Sequence, residues 1–318
     1  MTFVAPLAFV APKAVPQFTT GRLVVHSDDG YPGDYTHWWP VFQAQHRRSQ
    51  FIGKRLAPFC PAINSDSIGG NNRITWAMAR TIQRGGGEIL NHGRQHLGYR
   101  DYPLVAPAEA GGTALTISSG YGSRVFSAQN AGYGITHEII EGATSEIVTI
   151  TGDTDGVLSL SAPLANSYTT EAIIRLSEAS MLANIQGCSD DAEAEGIAPL
   201  KHHVWTYHDL SGTAKARAAT LVNSARGYGT PPQNLIDPAG EVDFYNLFSQ
   251  TDDGLTEASI DDRFDALQAV DGVLIVYGHG GQTETAVGNL TYLIERAIER
   301  GIRIVTQSEA VAYLQASA

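Results

Sequence analysis

The chain contains no run of 18 apolar residues, so nothing in it reads as a membrane-spanning helix and no membrane partner is expected. Cysteine is scarce: Cys60 and Cys188 stand far apart without metal-site spacing, and two buried thiols are the expectation. Positive charge is also short. The net charge is −12 and the largest basic cluster is His46-Arg47-Arg48, which argues against a nucleic-acid partner. Residues 1–20 lack a basic start followed by a long apolar core, so no secretory signal is recognisable. With prolines at 6, 12 and 16 they read as an extended arm. Glycine is plentiful at 33 residues, which suits many tight loops, and 318 residues can bury a large core as one barrel or two domains.

Leu23-Val24-Val25 reads as a strand buried on both faces, and it ends in His26-Ser27-Asp28-Asp29-Gly30. Two adjacent carboxylates at a strand tip raise the cost of ionising both unless a cation sits between them; the plain alternative is a turn. Asn91-His92-Gly93-Arg94-Gln95-His96 carries two histidines four apart, a spacing that puts both imidazoles on one side of a helical turn. A carboxylate and two histidines make three protein ligands and leave a position open for water, as a catalytic metal site needs. Zinc suits that donor set best, with cobalt, nickel or manganese as substitutes.

Along the chain, Asp34 or Thr36 caps a helix to about Ser49, Phe51 to Phe59 reads as a second strand, and Ile74 to Arg84 as a helix ended by Gly85-Gly86-Gly87. Glu88-Ile89-Leu90 is a third strand. From about Pro103 to Leu176 the periodicity changes to two, with Gly-rich turns, as in a small β domain whose ends lie close together. His137, on one of its strands, reads as structural. Then come a helix from Glu178, a strand from Lys201 to Tyr207, an Ala-rich helix from Thr213 to Arg226, a helix from Thr256 to Val270, and a buried strand Val273 to Tyr277 ending in His279. A helix from Leu290 to Glu299, a strand Ile302 to Val305 and a terminal helix capped by Ser308 complete the chain. Strand and helix alternation argues for parallel β/α units.

Asp-Asp-Gly after a buried strand, His-x-x-x-His about sixty residues on, and a late strand ending in histidine resemble the polysaccharide deacetylases, carbohydrate esterases typified by chitooligosaccharide and peptidoglycan deacetylases. The resemblance covers residues 21–102 and 177–318, with 103–176 as an inserted β-rich domain. It implies a distorted (β/α) barrel of about seven strands with the site at the strands' carboxyl ends. It further implies Asp29, His92 and His96 as ligands of one divalent metal, Asp28 as general base and His279 as general acid. The implied reaction removes N- or O-linked acetyl groups from a polysaccharide, such as a bacterial surface glycan. Two departures stand out: His26-Ser27 replace the family's Thr-Phe, and its Arg-x-Pro-Tyr segment has no clean counterpart. The nearest stretch is Val204-Trp205-Thr206-Tyr207-His208, where Tyr207 fills the tyrosine's place without the arginine or proline.

Residues Ile147 to Ile174 also look like phage tail sequence. That likeness implies an extracellular or virion-associated protein, with other tail proteins or further copies of the chain as partners. A second Thr-Asp-Asp-Gly at Thr251 to Gly254 follows a poor strand and reads as loop or helix N-terminal charge. His202 and His203, adjacent on a strand, point to opposite faces, whereas His208 at the strand end lines the cleft. One of Trp38 and Trp39 reads as core; Trp38, Tyr31 and Tyr207 are the candidate sugar contacts, aromatic rings offering a stacking face. The rival functions are a non-catalytic carbohydrate-binding or virion module, and a metal-dependent amidohydrolase on a non-sugar substrate.

Overall fold

The computed structural model describes residues 21–50, 57–126, 133–228, 236–238, 242–252, 255–280 and 284–317, with backbone alone for 46–50 and 284–286. The N-terminal arm, the His46-Arg47-Arg48 side chains, most of the expected strand Phe51 to Phe59, and Asp253 and Gly254 lie outside those residues.

The fold is mixed α/β, a distorted (β/α) barrel with two small extra sheets. The strands stand side by side in the order Ser224–Arg226, His202–Val204, Leu90–Asn91, Cys60–Ile63, Arg22–Ser27 and Val273–Gly278, each parallel to its neighbours. Gln250–Thr251 continues beside Val273–Gly278, also parallel, and a parallel bridge from Leu247 to Arg226 brings the curled sheet back to its start. That makes a ring of seven. The distortion has a visible cause. Arg22–Ser27 pairs with Cys60–Ile63 only at His26 and Ser27, and the short strand Arg303–Ile304 takes Arg22 and Leu23.

Period-two alternation divides the first strand between two cores. Leu23 and Val25 face the helices, in a cluster with Trp38, Phe42, Phe264 and Ile294. Val24 faces the ring interior, with Ala62, Leu90, Val204, Leu247 and Ile275, and the terminal helix Gln307–Ala316 packs Val311 and Leu314 beneath them. The same alternation carries His26 and Asp28 inward above Val24, and His92 above Leu90.

Several boundaries differ from the sequence reading. The Ala-rich helix covers Gly212–Ala218, capped by Ser211, and Ser224–Arg226 is a buried barrel strand. Ser-Ala-Arg has no β-branched residue, so its strand state comes from its two neighbours in the sheet rather than from propensity. The two-residue strand Gln250–Thr251 likewise depends on its neighbour Val273–Gly278. The terminal helix is capped by Thr306, while Ser308 donates to Glu88 at 2.5 Å. Cys60 and Cys188 are buried free thiols.

Residues 102–176 add a four-stranded antiparallel sheet and a three-stranded one around their own apolar cluster, which includes Leu104, Leu115, Ile139, Leu158 and Ile174. Tyr102–Pro103 pairs with Ile173–Ile174, so the segment leaves and re-enters the barrel at adjacent positions.

Candidate metal centre

The first strand delivers two carboxylates with different surroundings. Asp28 N–H donates to Gly278 O at 2.8 Å, which locks the strand end to its neighbour. Asp29 turns back at φ 71° and Gly30 follows at φ 64°, so successive side chains diverge. Asp28 is buried and its Oδ2 accepts from Arg226 Nη2 at 2.6 Å. Burial pushes the Asp28 carboxyl up; Arg226, with His92 and His279, outweighs it and leaves the pKa below the ordinary value. The arginine itself is fully buried and packs over the Tyr277 ring, 4.3 Å from its centroid.

Asp29 Oδ1 faces two imidazoles, His92 Nε2 at 3.3 Å and His96 Nε2 at 3.2 Å. The segment from His92 to His96 is an irregular turn rather than a helical one. Gly93 at φ 84° folds it, and the two rings still converge, with centroids 5.0 Å apart. His92 Nδ1 lies 2.8 Å from Val204 O. A carbonyl can only accept, so Nδ1 carries the proton and the neutral ring keeps its lone pair on Nε2. Burial lowers the His96 pKa, which favours the neutral form of that ring. Lone pairs aimed at a carboxylate oxygen repel it unless a cation lies between. Two ligand atoms about 2.0–2.1 Å from a tetrahedral zinc stand roughly 3.3 Å apart, the spacing found here. The three side chains therefore fit a divalent metal, and the Val204 carbonyl supplies the outer contact that orients a metal-binding histidine.

The remaining residues surround this centre. His279 is exposed at the end of its strand, its ring 6.5 Å from Tyr31 and 6.2 Å from Tyr277. Tyr207, half-exposed, packs edge-on against His96 at 4.3 Å. Tyr207 and His208 both hold φ 55°, two consecutive non-glycine residues in the left-handed region, a costly conformation that concentrates at functional sites. His208 hydrogen-bonds Tyr277 Oη at 2.9 Å, and burial together with Arg226 lowers its pKa to about 3. Asp34 does not cap the following helix. Its carboxyl turns inward to accept from Ser27 Oγ, and burial raises its pKa well above the ordinary value. Gly33 sits so close to Gly280 O that no side chain fits, which ties the loop after Asp29 to the His279 loop.

One expected sugar contact is overturned. Trp38 is fully buried and packs on Phe59, ring centroids 5.8 Å apart; Trp39 is buried too, so neither can present a face to a glycan. The large apolar rings satisfy the helix–sheet interface instead. His203 pairs with Asn91 and packs between Tyr99 and Trp205, and His202 bonds Ser224 and Ser308, on opposite faces of their strand. Arg226 escaped the sequence reading because it sits 198 residues from Asp28 in a stretch that looked helical. The signal was there in form: an arginine followed by glycine, where a barrel strand ends. A cavity of about 270 Å³ opens beside the turn, between Arg94, Gln95 and Ser180 and the Tyr133–Thr136 stretch of the added segment.

No protein-family model and no curated protein sequence matches the chain. Among solved structures it is similar to the Xyl-CE4 domain of a multidomain xylanase from the hindgut metagenome of Trinervitermes trinervoides, at 10% identity over 93% of this chain and 91% of that one, TM-score 0.46. A family 4 acetyl xylan esterase from Clostridium thermocellum, in complex with cobalt, gives 14% identity over 93% of each chain, TM-score 0.42. A CE4 family pseudoenzyme from Bacillus anthracis gives 9% identity over 93% of this chain and 66% of that one, TM-score 0.47.

Proposed function

We propose that this chain is a metal-dependent deacetylase acting on an acetylated polysaccharide. The observation that supports it most is the Asp29 carboxylate aimed at two imidazole Nε2 atoms, one of them held as a lone pair by the Val204 carbonyl. A divalent ion held there, zinc by preference with cobalt, nickel or manganese as substitutes, lowers the pKa of water toward neutrality and polarises a carbonyl oxygen. Asp28 and His279 perform the proton transfers. Arg226 occupies Asp28 Oδ2 and leaves Oδ1 to take a proton from water as its oxygen attacks the acetyl carbonyl carbon. The bond from that carbon to the sugar nitrogen or oxygen then breaks, His279 protonates the departing atom, and acetate leaves. Tyr31 and Tyr207, at the rim, are the aromatic surfaces for a sugar ring.

The resemblance of Ile147 to Ile174 to phage tail sequence extends the proposal to a virion-borne enzyme that trims host surface glycan. The test is direct. Purified protein carries one divalent ion per chain by elemental analysis and releases acetate from an acetylated glycan or an aryl acetate. Chelation abolishes the release, and zinc or cobalt restores it. A protein that keeps its ion and releases no acetate from a broad panel of acetylated glycans is a binding module instead.

A further inference from the structure

The 102–176 segment leans on the rim of the metal centre through the short helix Gly122–Val125. Gly98 N–H, in the loop after His96, donates to Arg124 O at 2.8 Å. The Arg124 guanidinium donates to Asp209 Oδ1 at 2.9 Å and lies 5.1 Å from the centroid of Tyr207, the ring that packs against His96. Arg100, on that same loop, reaches the same Asp209 oxygen at 4.0 Å. The other Asp209 oxygen accepts from buried Tyr102 Oη at 2.7 Å. Tyr121 stands between the two guanidiniums, 5.0 Å from Arg100 and 5.1 Å from Arg124.

Two guanidiniums face one carboxylate, Arg124 at 2.9 Å and Arg100 at 4.0 Å, while Asp101 lies 3.8 Å from Arg175, which Glu138 also pairs at 3.2 Å. Of these cations Arg100 has the longest contact. Of the two arginines, Arg124 makes the short contact to Asp209. Arg100 adds almost nothing to that clamp at 4.0 Å, and its side chain is 41% exposed against 6% for Asp209. Its Nη1 also donates to Tyr121 Oη at 3.4 Å, a long contact, and a planar guanidinium suits carboxylate and phosphate oxygens.

We propose that Arg100 and Arg124 bind an anionic group, a carboxylate or a phosphate, on a sugar next to the acetylated one, so that the added segment selects acidic glycans. The proposal rests on the deacetylase reading for its substrate, but its test does not need turnover. Affinities of the full chain are measured by calorimetry at low ionic strength for an oligogalacturonide, a phosphorylated oligosaccharide and a neutral xylo-oligosaccharide of equal length. At least one acidic oligomer binds about tenfold more tightly than the neutral one, the scale of one hydrogen bond to a charged group. Which of the two does so identifies the anion. Arg100→Gln removes the preference, Arg100→Lys retains part of it, and Arg80→Gln, at the remote pair with Glu195, leaves it intact. Added salt shrinks it. Equal affinities for all three oligomers overturn the proposal, as does an unchanged preference in Arg100→Gln. Absence of acetate release beside an intact anion preference would instead count against the deacetylase reading alone.

Discussion

The barrel and the 102–176 segment bury very different interiors. Among the described residues, the barrel hides Asp28, Asp34, His26, His92, His202, His203, Arg226 and Asp237. The segment hides apolar side chains and tyrosines, with His137 the one buried polar side chain of that kind among its described residues. The segment is thus built around an apolar cluster of its own, as folding stability favours. The barrel spends stability on charges held in place. An Asp28–Arg226 pair out of water gains little over a well-packed apolar pair, yet breaking it leaves a buried charge alone.

The comparison can be broken most sharply at Asp28. Asp28→Asn should keep its metal and lose about 10²–10⁴-fold in kcat, because the amide cannot accept the proton. It should also destabilise the barrel by roughly 3–5 kcal/mol through the stranded Arg226, and adding Arg226→Met should recover stability in urea titrations while activity stays lost. Recovery of activity by the double variant would show that Asp28 is not the base.

Trp38→Ala should cost about 3–5 kcal/mol in unfolding and leave glycan affinity unchanged at temperatures where the protein is folded. A selective rise in KM would return Trp38 to the sugar platform. On the other side of the comparison, Leu158→Ala should cost about 2–5 kcal/mol by leaving a cavity in the segment's core, with metal content by elemental analysis unchanged.

The smallest effect concerns pH. Burial lowers His137 from 6.5 to about 4. A depressed histidine contributes its full stability above pH 6.5, where folded and unfolded states are both neutral. That stability is lost as pH falls from 6.5 toward 4, because only the unfolded chain gains the proton there. The loss approaches roughly 3 kcal/mol by pH 4, at about 1.4 kcal/mol per unit. His137→Leu should flatten that part of the stability curve in urea titrations at pH 7 and pH 4.5; an unchanged slope would place the acid sensitivity in the barrel histidines instead.

Local chemistry determined a good deal of this. Leu23-Val24-Val25 is a doubly buried strand from its apolar run alone, and Thr75 and Thr256 cap helices because their hydroxyls reach the N–H three residues on. The convergence of Asp29, His92 and His96 was legible because Asp29 follows one recognisable strand and the His-x-x-x-His segment follows another, and parallel strands deliver their carboxyl ends to one place. Other features belong to tertiary structure. Ser224–Arg226 and Gln250–Thr251 are strands, and Leu247 bridges to Arg226, only because a barrel ring has two edges to join, and that closure is what brings Arg226 to Asp28. The burial of both tryptophans, the left-handed turn at Tyr207 and His208, and the two arginines gathered on Asp209 likewise depend on which surfaces meet across long sequence separations. Spacing and propensity act over a few residues; charge pairing and packing act over a few ångströms, whatever length of chain lies between.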